Sequence, residues 1–534
     1  MMGTKIRDFA PLPDISLEDL VPKDNFYRRL DATLDLSFVR DLVSDCYASS
    51  GRPSIDPVVF FRLQLVMFFE AIRSERQLME VAADRLSVRW FLGYDLNEPL
   101  PDHSSLTRIR ERYGLRTFRR FFERIVELCV EAGLVWGKEL YFDATKVEAD
   151  ASLDSMRSRS LMEHGLEEHL ASIFPEEAQP IEGADKPEIP AVGPAGLEGQ
   201  ALSEANAKRH RWIEEAGRQQ REVVRWGYKR LADLRASATD PDASPMHRKN
   251  KGASRLGYLT HYVVDGGKAR VILDVLVTPA EVTENLPMLE LLFRSRFRWR
   301  LRPRSVTGDA AHGTVENVAA VEKAGIRAYV ALPKHDERGP LFGKNEFVYD
   351  AEKDLYICPR GKTLCRQGLD YKERSVRYAA KPSACNPCPL RPRCTKGKKK
   401  GRWIRRSFEE EYLERVRGYS GTEPYRKALR KRQVWVEPLF GEAKDWHGLR
   451  RFRLRTLEKV NAEALLIGAG QNIKRLLTYG QRGPKRPAQV AALRRSSPYQ
   501  YEFCSVWKHR KRCAWRPARV FQHAGAFLAA CEQR

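Results

Sequence analysis

The sequence predicts an α/β protein: a mixed β-sheet with helices on its faces, preceded by an all-α region and interrupted by a small cysteine-rich insertion. Three observations carry this. Apolar residues recur three and four apart through PVVFFRLQLVMFFEAIRSERQLMEVAADRL, which is helical spacing. From residue 139 onward, short apolar and β-branched runs alternate with helical patterns. Five of the ten cysteines fall between residues 358 and 394, so they form a local cluster rather than a scattered disulfide framework.

Taken in order, residues 1–135 form the helical region. In PDHSSLTRIRERYG, Asp102 or Ser104 caps a helix, and Arg108, Arg110 and Arg112 follow on its next turns, where arginine can face phosphate. Residues 136–480 form the sheet-containing region. KELYFDATKVEADAS is a strand that delivers Asp143 and then turns. Residues 160–250 are a linker with a charged helical insertion: 175–200 are rich in Pro, Gly and Glu, and NAKRHRWIEEAGRQQREVVRWGYKRLADLR is helical. LGYLTHYVVDG and ARVILDVLVTPA are two alternating strands joined at Gly266-Gly267. A helix over NLPMLELLFRSRFR, a strand RSVTG ending at Asp309, a helix over VENVAAVEKAG and a strand IRAYVALP complete a β-β-β-α-β-α-β order, which makes Asp143 and Asp309 the ends of neighbouring strands.

Charge narrows the partners. Lys and Arg number 94 against 70 Asp and Glu, a net +24 with a pI near 9.6, so the surface attracts polyanions, nucleic acid first among them. The 42% hydrophobic content excludes a disordered chain. MMGTKIRDFAPLPDISLEDL has no continuous apolar run and PVVFFRLQLVMFFEAI is broken by Arg62, which predicts a soluble cytoplasmic protein with no membrane partner.

Three carboxylates concentrate the chemistry. Asp143 and Asp309 follow short apolar runs, and Glu437 opens the helical segment VEPLFGEAKDWHG. Singly, each has a plain structural use as a turn or first-turn acid. Together, two strand ends and a helix start can converge, and three hard anionic ligands suit a pair of Mg²⁺ or Mn²⁺ ions acting in phosphoryl transfer. Lys444 lies seven residues after Glu437, on the same helix face; Glu442, five residues on and about 140° round the helix, is expected to be a surface acid.

With VEPLFGEAK, PDHSSLTRIR and GAGQNIKRL, the Asp143, Asp309, Glu437 and Lys444 set resembles the DDE-type transposases of bacterial insertion sequences, over roughly residues 20–478. The resemblance implies a ribonuclease H-like fold and two divalent ions on Asp143, Asp309 and Glu437. It further implies cleavage and rejoining of DNA at inverted-repeat ends, and contact of Lys444 with DNA. A homodimer is implied because two ends are cut together. Some such families place an arginine four residues before the glutamate; that slot is Gln433 here, and Arg432, with Tyr425 upstream, takes the part instead. A nuclease on the same fold and a domesticated DNA-binding protein are the competing readings.

Within the insertion, residues 345–405, the Cys385-x-x-Cys388 pair with Cys394 and the more distant Cys358 has the spacing of a structural zinc site, leaving Cys365 spare. The adjoining KGKKKGRWIRR favours phosphate contact. Residues 481–534 are a basic tail with 12 Lys and Arg against 2 Asp and Glu; they carry no assigned site.

Overall fold

The protein is described from a computed structural model that covers residues 16–48, 54–158, 235–246, 254–332, 340–371, 373–397 and 400–480. The Pro- and Gly-rich linker, nearly all of the charged helix after it and the basic tail lie outside the described residues.

The N-terminal region is helical: α1 (Leu17–Leu20), α2 (Phe26–Thr33), α3 (Phe38–Val43), α4 (Pro57–Phe69), α5 (Glu75–Asp84), α6 (Leu86–Leu92) and α7 (His103–Glu131). α4 is apolar on every side, as a helix enclosed by others must be, and ten of its residues are buried. Its interrupting Arg62 pairs with Asp31 at 2.6 Å. α7 starts as the sequence predicts, with the Asp102 carboxylate accepting from Ser104 N at 2.8 Å.

The main sheet contains β1 (Glu139–Glu148), then β4 (Ser244–Met246), β5 (Arg255–Asp265), β6 (Ile272–Pro279), β7 (Ser305–Gly308) and β8 (Arg327–Val330); β2 (Met156–Ser158) and β3 (Arg235–Ser237) pair separately. Antiparallel β6-β5-β1 is continued by β7 and β8, each parallel to the strand before it. α8 (Met288–Trp299) leads into β7, and α9 (Val315–Lys323) connects β7 to β8. Two expectations are corrected. Segment 235–246, expected to belong to the linker and helical insertion, forms β3 and β4. β5 does not alternate: every residue after Arg255 is buried, because both faces of this strand are covered.

A second, five-stranded antiparallel sheet follows, ordered β13-β12-β11-β10-β9. It comprises β9 (Val348–Asp350), β10 (Leu355–Ile357), β11 (Thr363–Asp370), β12 (Ser375–Ala380) and β13 (Trp403–Ser407), with the short turns α10 (Pro382–Cys385) and α11 (Arg391–Cys394) between β12 and β13. Its small core is Phe347, Tyr356, Leu364, Tyr378, Ala380 and Ile404. The chain then returns through α12 (Glu410–Ser420), α13 (Glu423–Trp435), α14 (Glu437–Trp446) and α15 (Leu457–Tyr479).

α15 holds the main sheet in place. It lacks a side-chain cap of its own; instead Asp240 accepts from Thr456 N at 3.0 Å and Asp242 from Leu457 N at 2.6 Å. Along its length, Asn461 bonds both the N–H and the C=O of Val277 (2.8 and 3.0 Å), and Asn472 does the same for Ile272 (2.9 and 2.8 Å). The polar backbone on the outer side of β6 is thus satisfied by amide side chains. Close approach explains the GAG run: a Cβ on Gly468 would stand 2.8 Å from Val275, and one on Gly470 2.6 Å from the Phe68 ring.

Candidate active site

The β1–β7 pairing brings two of the three predicted acids together. Tyr141 stands opposite Thr307 at the last rung of the parallel ladder, and Asp143 and Asp309 each come two residues further on, close enough for the charge of Asp309 to act on Asp143. Asp143 is not at a strand terminus, as the sequence suggested, because β1 continues to Glu148 against β5. It lies at the point where β7 leaves β1.

Alternate residues of β1 share a face, and α13 and α14 lay a row of cations along that face. Lys431 Nζ meets Glu139 at 2.6 Å, Arg432 Nη1 meets Asp143 at 2.9 Å, and Lys444 Nζ bonds Thr145 Oγ1. Arg432 Nη2 also reaches Glu437 at 3.6 Å, so one guanidinium joins two of the predicted acids. The helix breaks at Val436, and this sets the register: Arg432, five residues before Glu437, turns inward and Gln433 faces solvent. Stacking of Phe440 on Tyr262, centroids 4.4 Å apart, fixes α14 against β5. Tyr425 is occupied elsewhere, its hydroxyl donating to Val330 O at 3.0 Å.

The acids differ in their surroundings. Burial pushes Asp143 upward, opposed by the charge of Arg432 and the Ala144 N–H. Burial also acts against ionised Asp309, yet the His312 side chain, its charge and its N–H, with the charge of Arg432, bring that carboxyl down to about 2. His312 Nδ1 lies 2.6 Å from Asp309 Oδ1; an ionised carboxylate can only accept, so Nδ1 carries the proton. Glu437 is the most open, its side chain 55% exposed.

Two neighbours escaped the sequence reading. His312 is three residues past Asp309 in GDAAHG. Glu284, in the loop after β6, hydrogen-bonds Asp309; burial, then the charges of Asp309 and Asp143, push it upward. A signal existed for Glu284, since β6 runs parallel to β1 and β7 and its following loop emerges at the same end of the sheet. Among the described residues, no group of three or more His, Cys, Asp or Glu side chains is drawn together closely enough to hold an ion as arranged. At the acids, Arg432 stands between Asp143 and Glu437.

Other predicted residues divide. Arg108 is exposed. Arg110 is not: 5% exposed and bonded to Glu75, it faces the interior, and burial brings its guanidinium down to about 10. Glu442 points away from Glu437 but is no surface acid. It joins α14 to α15 through Lys474 (2.5 Å) and Arg475 (3.0 Å).

In the second sheet, Cys358, Cys385, Cys388 and Cys394 line one cavity, whereas Cys365 is exposed and outside it. Cys358 Sγ accepts from Lys362 N at 3.3 Å across a turn with Gly361 at φ +72°.

Comparison with known families places these elements. The model described as Transposase domain (DUF772) matches residues 15–112, the helical region, and that described as Transposase DDE domain matches residues 357–477, which include Glu437 and Lys444. The two matches define a transposase. The two matched stretches support a DDE-type insertion-sequence transposase. No curated protein matches it. A solved structure, the piggyBac transposase synaptic complex with hairpin DNA, aligns at 9% identity over 92% of this chain and 89% of that one, with a TM-score of 0.28. No helix among the described residues is long and apolar enough to cross a membrane.

Proposed function

We propose that the chain binds the inverted-repeat ends of an insertion sequence and carries out metal-dependent strand cleavage and strand transfer on DNA. The observation that carries this reading is the register of β1 and β7, which sets Asp143 beside Asp309 while Arg432 links Asp143 to Glu437. Apart from the short β4, which pairs with the start of β5, the main sheet runs β1-β5-β6-α8-β7-α9-β8, an order that supports a ribonuclease H-like catalytic body.

Asp143, Asp309 and Glu437 are the residues that would hold Mg²⁺ or Mn²⁺, and their anionic oxygens fit a hard divalent ion. Two such ions, when bound, supply an acidified water and charge compensation at the leaving oxygen. The chain's own residues do the positioning. His312 keeps Asp309 ionised and fixes its rotamer, and Arg432 neutralises Asp143. Lys444, on α14, bonds Thr145, two residues along β1 from Asp143, and so stands beside the acids where a phosphate would lie. Arg108 extends DNA contact to the helical region. The protein acts as a homodimer, each copy serving one end.

Cys358, Cys385, Cys388 and Cys394 are assigned to a structural Zn²⁺. Support comes from their shared cavity and from the Lys362 N–H aimed at the Cys358 sulfur, the kind of outer contact that stabilises a thiolate ligand.

The test is incubation of a labelled duplex carrying the flanking inverted repeat with Mg²⁺ or Mn²⁺, comparing wild type with Asp309→Ala. Joined products that vanish in the variant are expected. Nicking without joining points to a nuclease, and binding without cleavage refutes the catalytic assignment.

A further inference from the structure

The second sheet turns one face outward, and that face carries an arrangement unrelated to the acids or the thiols. Arg377 on β12 and Arg405 on β13 are direct cross-strand partners. Both are exposed, and both guanidiniums lie over the Trp403 ring, 5.0 and 5.4 Å from its centroid. Trp403 is itself 44% exposed. Among the described residues the pair's acidic partner is Asp370, at the long distance of 3.9 Å from Arg405.

Like charges directly opposite one another in a sheet are destabilising. Here a shared aromatic face holds the two exposed side chains side by side. Such a fork is complete only when an anion accepts from both guanidiniums. The surroundings add to it: residues 340–407 hold 18 Lys and Arg against 6 Asp and Glu, a net +12 and half of the whole chain's excess.

We infer that Arg377, Arg405 and Trp403 form a phosphate-gripping contact for the backbone of duplex DNA, separate from the cleavage site. This rests on the reading of the chain as a DNA-acting protein. The fork carries no base-reading geometry, so its role is to add sequence-independent affinity. Trp403 orients the arginines, and its exposed edge lies against the sugar-phosphate chain.

The experiment is fluorescence anisotropy of the full chain with a labelled duplex between 50 and 200 mM salt, for wild type, Arg377→Gln/Arg405→Gln and Trp403→Leu. Each arginine that meets a phosphate adds about 0.9 to the slope of log affinity against log salt, so the double variant should lose roughly 2. Trp403→Leu should weaken binding while keeping most of the slope. Circular dichroism checks that each variant is folded; if the double variant is not, the single variants are read instead, each expected to lose roughly 1. Wild-type binding with an unchanged slope in folded variants overturns this inference alone. Failure of wild type to bind duplex overturns both it and the proposed function.

Discussion

The two sheets of this protein are built on opposite plans. The main sheet is enclosed: β5 is buried on both faces, β6 is sealed by asparagines, and its few charges are paired or gathered beyond the end of the β1–β7 ladder. The five-stranded sheet has a six-residue core, strands as short as three residues, an open face and half of the chain's net charge. The difference separates two tasks. Carboxylates must be held to within fractions of an ångström to act together, and only a rigid, dry scaffold does that. Attraction of a polyanion requires only charge in the right region, which a thin sheet supplies.

The comparison can be broken most sharply at the acids. Alanine at Asp143, Asp309 or Glu437 should abolish cleavage while duplex binding in an anisotropy assay stays close to wild type, because the basic surface lies elsewhere. Full cleavage by any one variant removes that residue from the site.

Next in size is the second sheet's dependence on its thiols. A core of six residues is too small to stand without a staple. Cys388→Ser, or treatment with a zinc chelator, should expose residues 340–407 to limited proteolysis and release metal detectable by a colorimetric zinc assay. The main sheet should resist under the same conditions; equal digestion of both sheets would show that they are not independent.

A smaller effect is expected inside the enclosed sheet. Asn472→Ala leaves the N–H and C=O of Ile272 without partners, a loss of about 2–4 kcal/mol on the cost of unsatisfied buried groups, read by denaturant titration. The smallest belongs to Cys365, which is exposed and outside the thiol cavity: Cys365→Ser should change stability by no more than about 0.5 kcal/mol and leave zinc content unaltered.

What the sequence disclosed follows the same division. The strands that carry Asp143 and Asp309 were legible because each has a local signature, a short apolar run that leads into a carboxylate. Arg432 was legible only as a departure from spacing; Pro438, in the first turn of α14, marks the helix break at Val436, but a proline alone does not say which side chain the break turns inward. Arg110 and Glu442 were misplaced for a common reason. Periodicity tells which face a charge occupies, but the element packed on that face decides whether it meets solvent, as Glu75 and Lys474 show. The five-stranded sheet went unseen as a sheet because three-residue strands such as β9 and β10 are too short to display a period. His312 and Glu284 needed the topology first, since neither stands in a segment whose pattern announces a site.

The asparagine contacts of α15 bear on assembly. An uncovered outer strand invites a second chain to extend the sheet by backbone pairing. On the β6 side such an invader would have to displace Asn461 and Asn472 from Val277 and Ile272, breaking four buried hydrogen bonds before forming one of its own. Sheet extension is therefore closed along that edge, and a second copy of the chain would have to join through other surfaces.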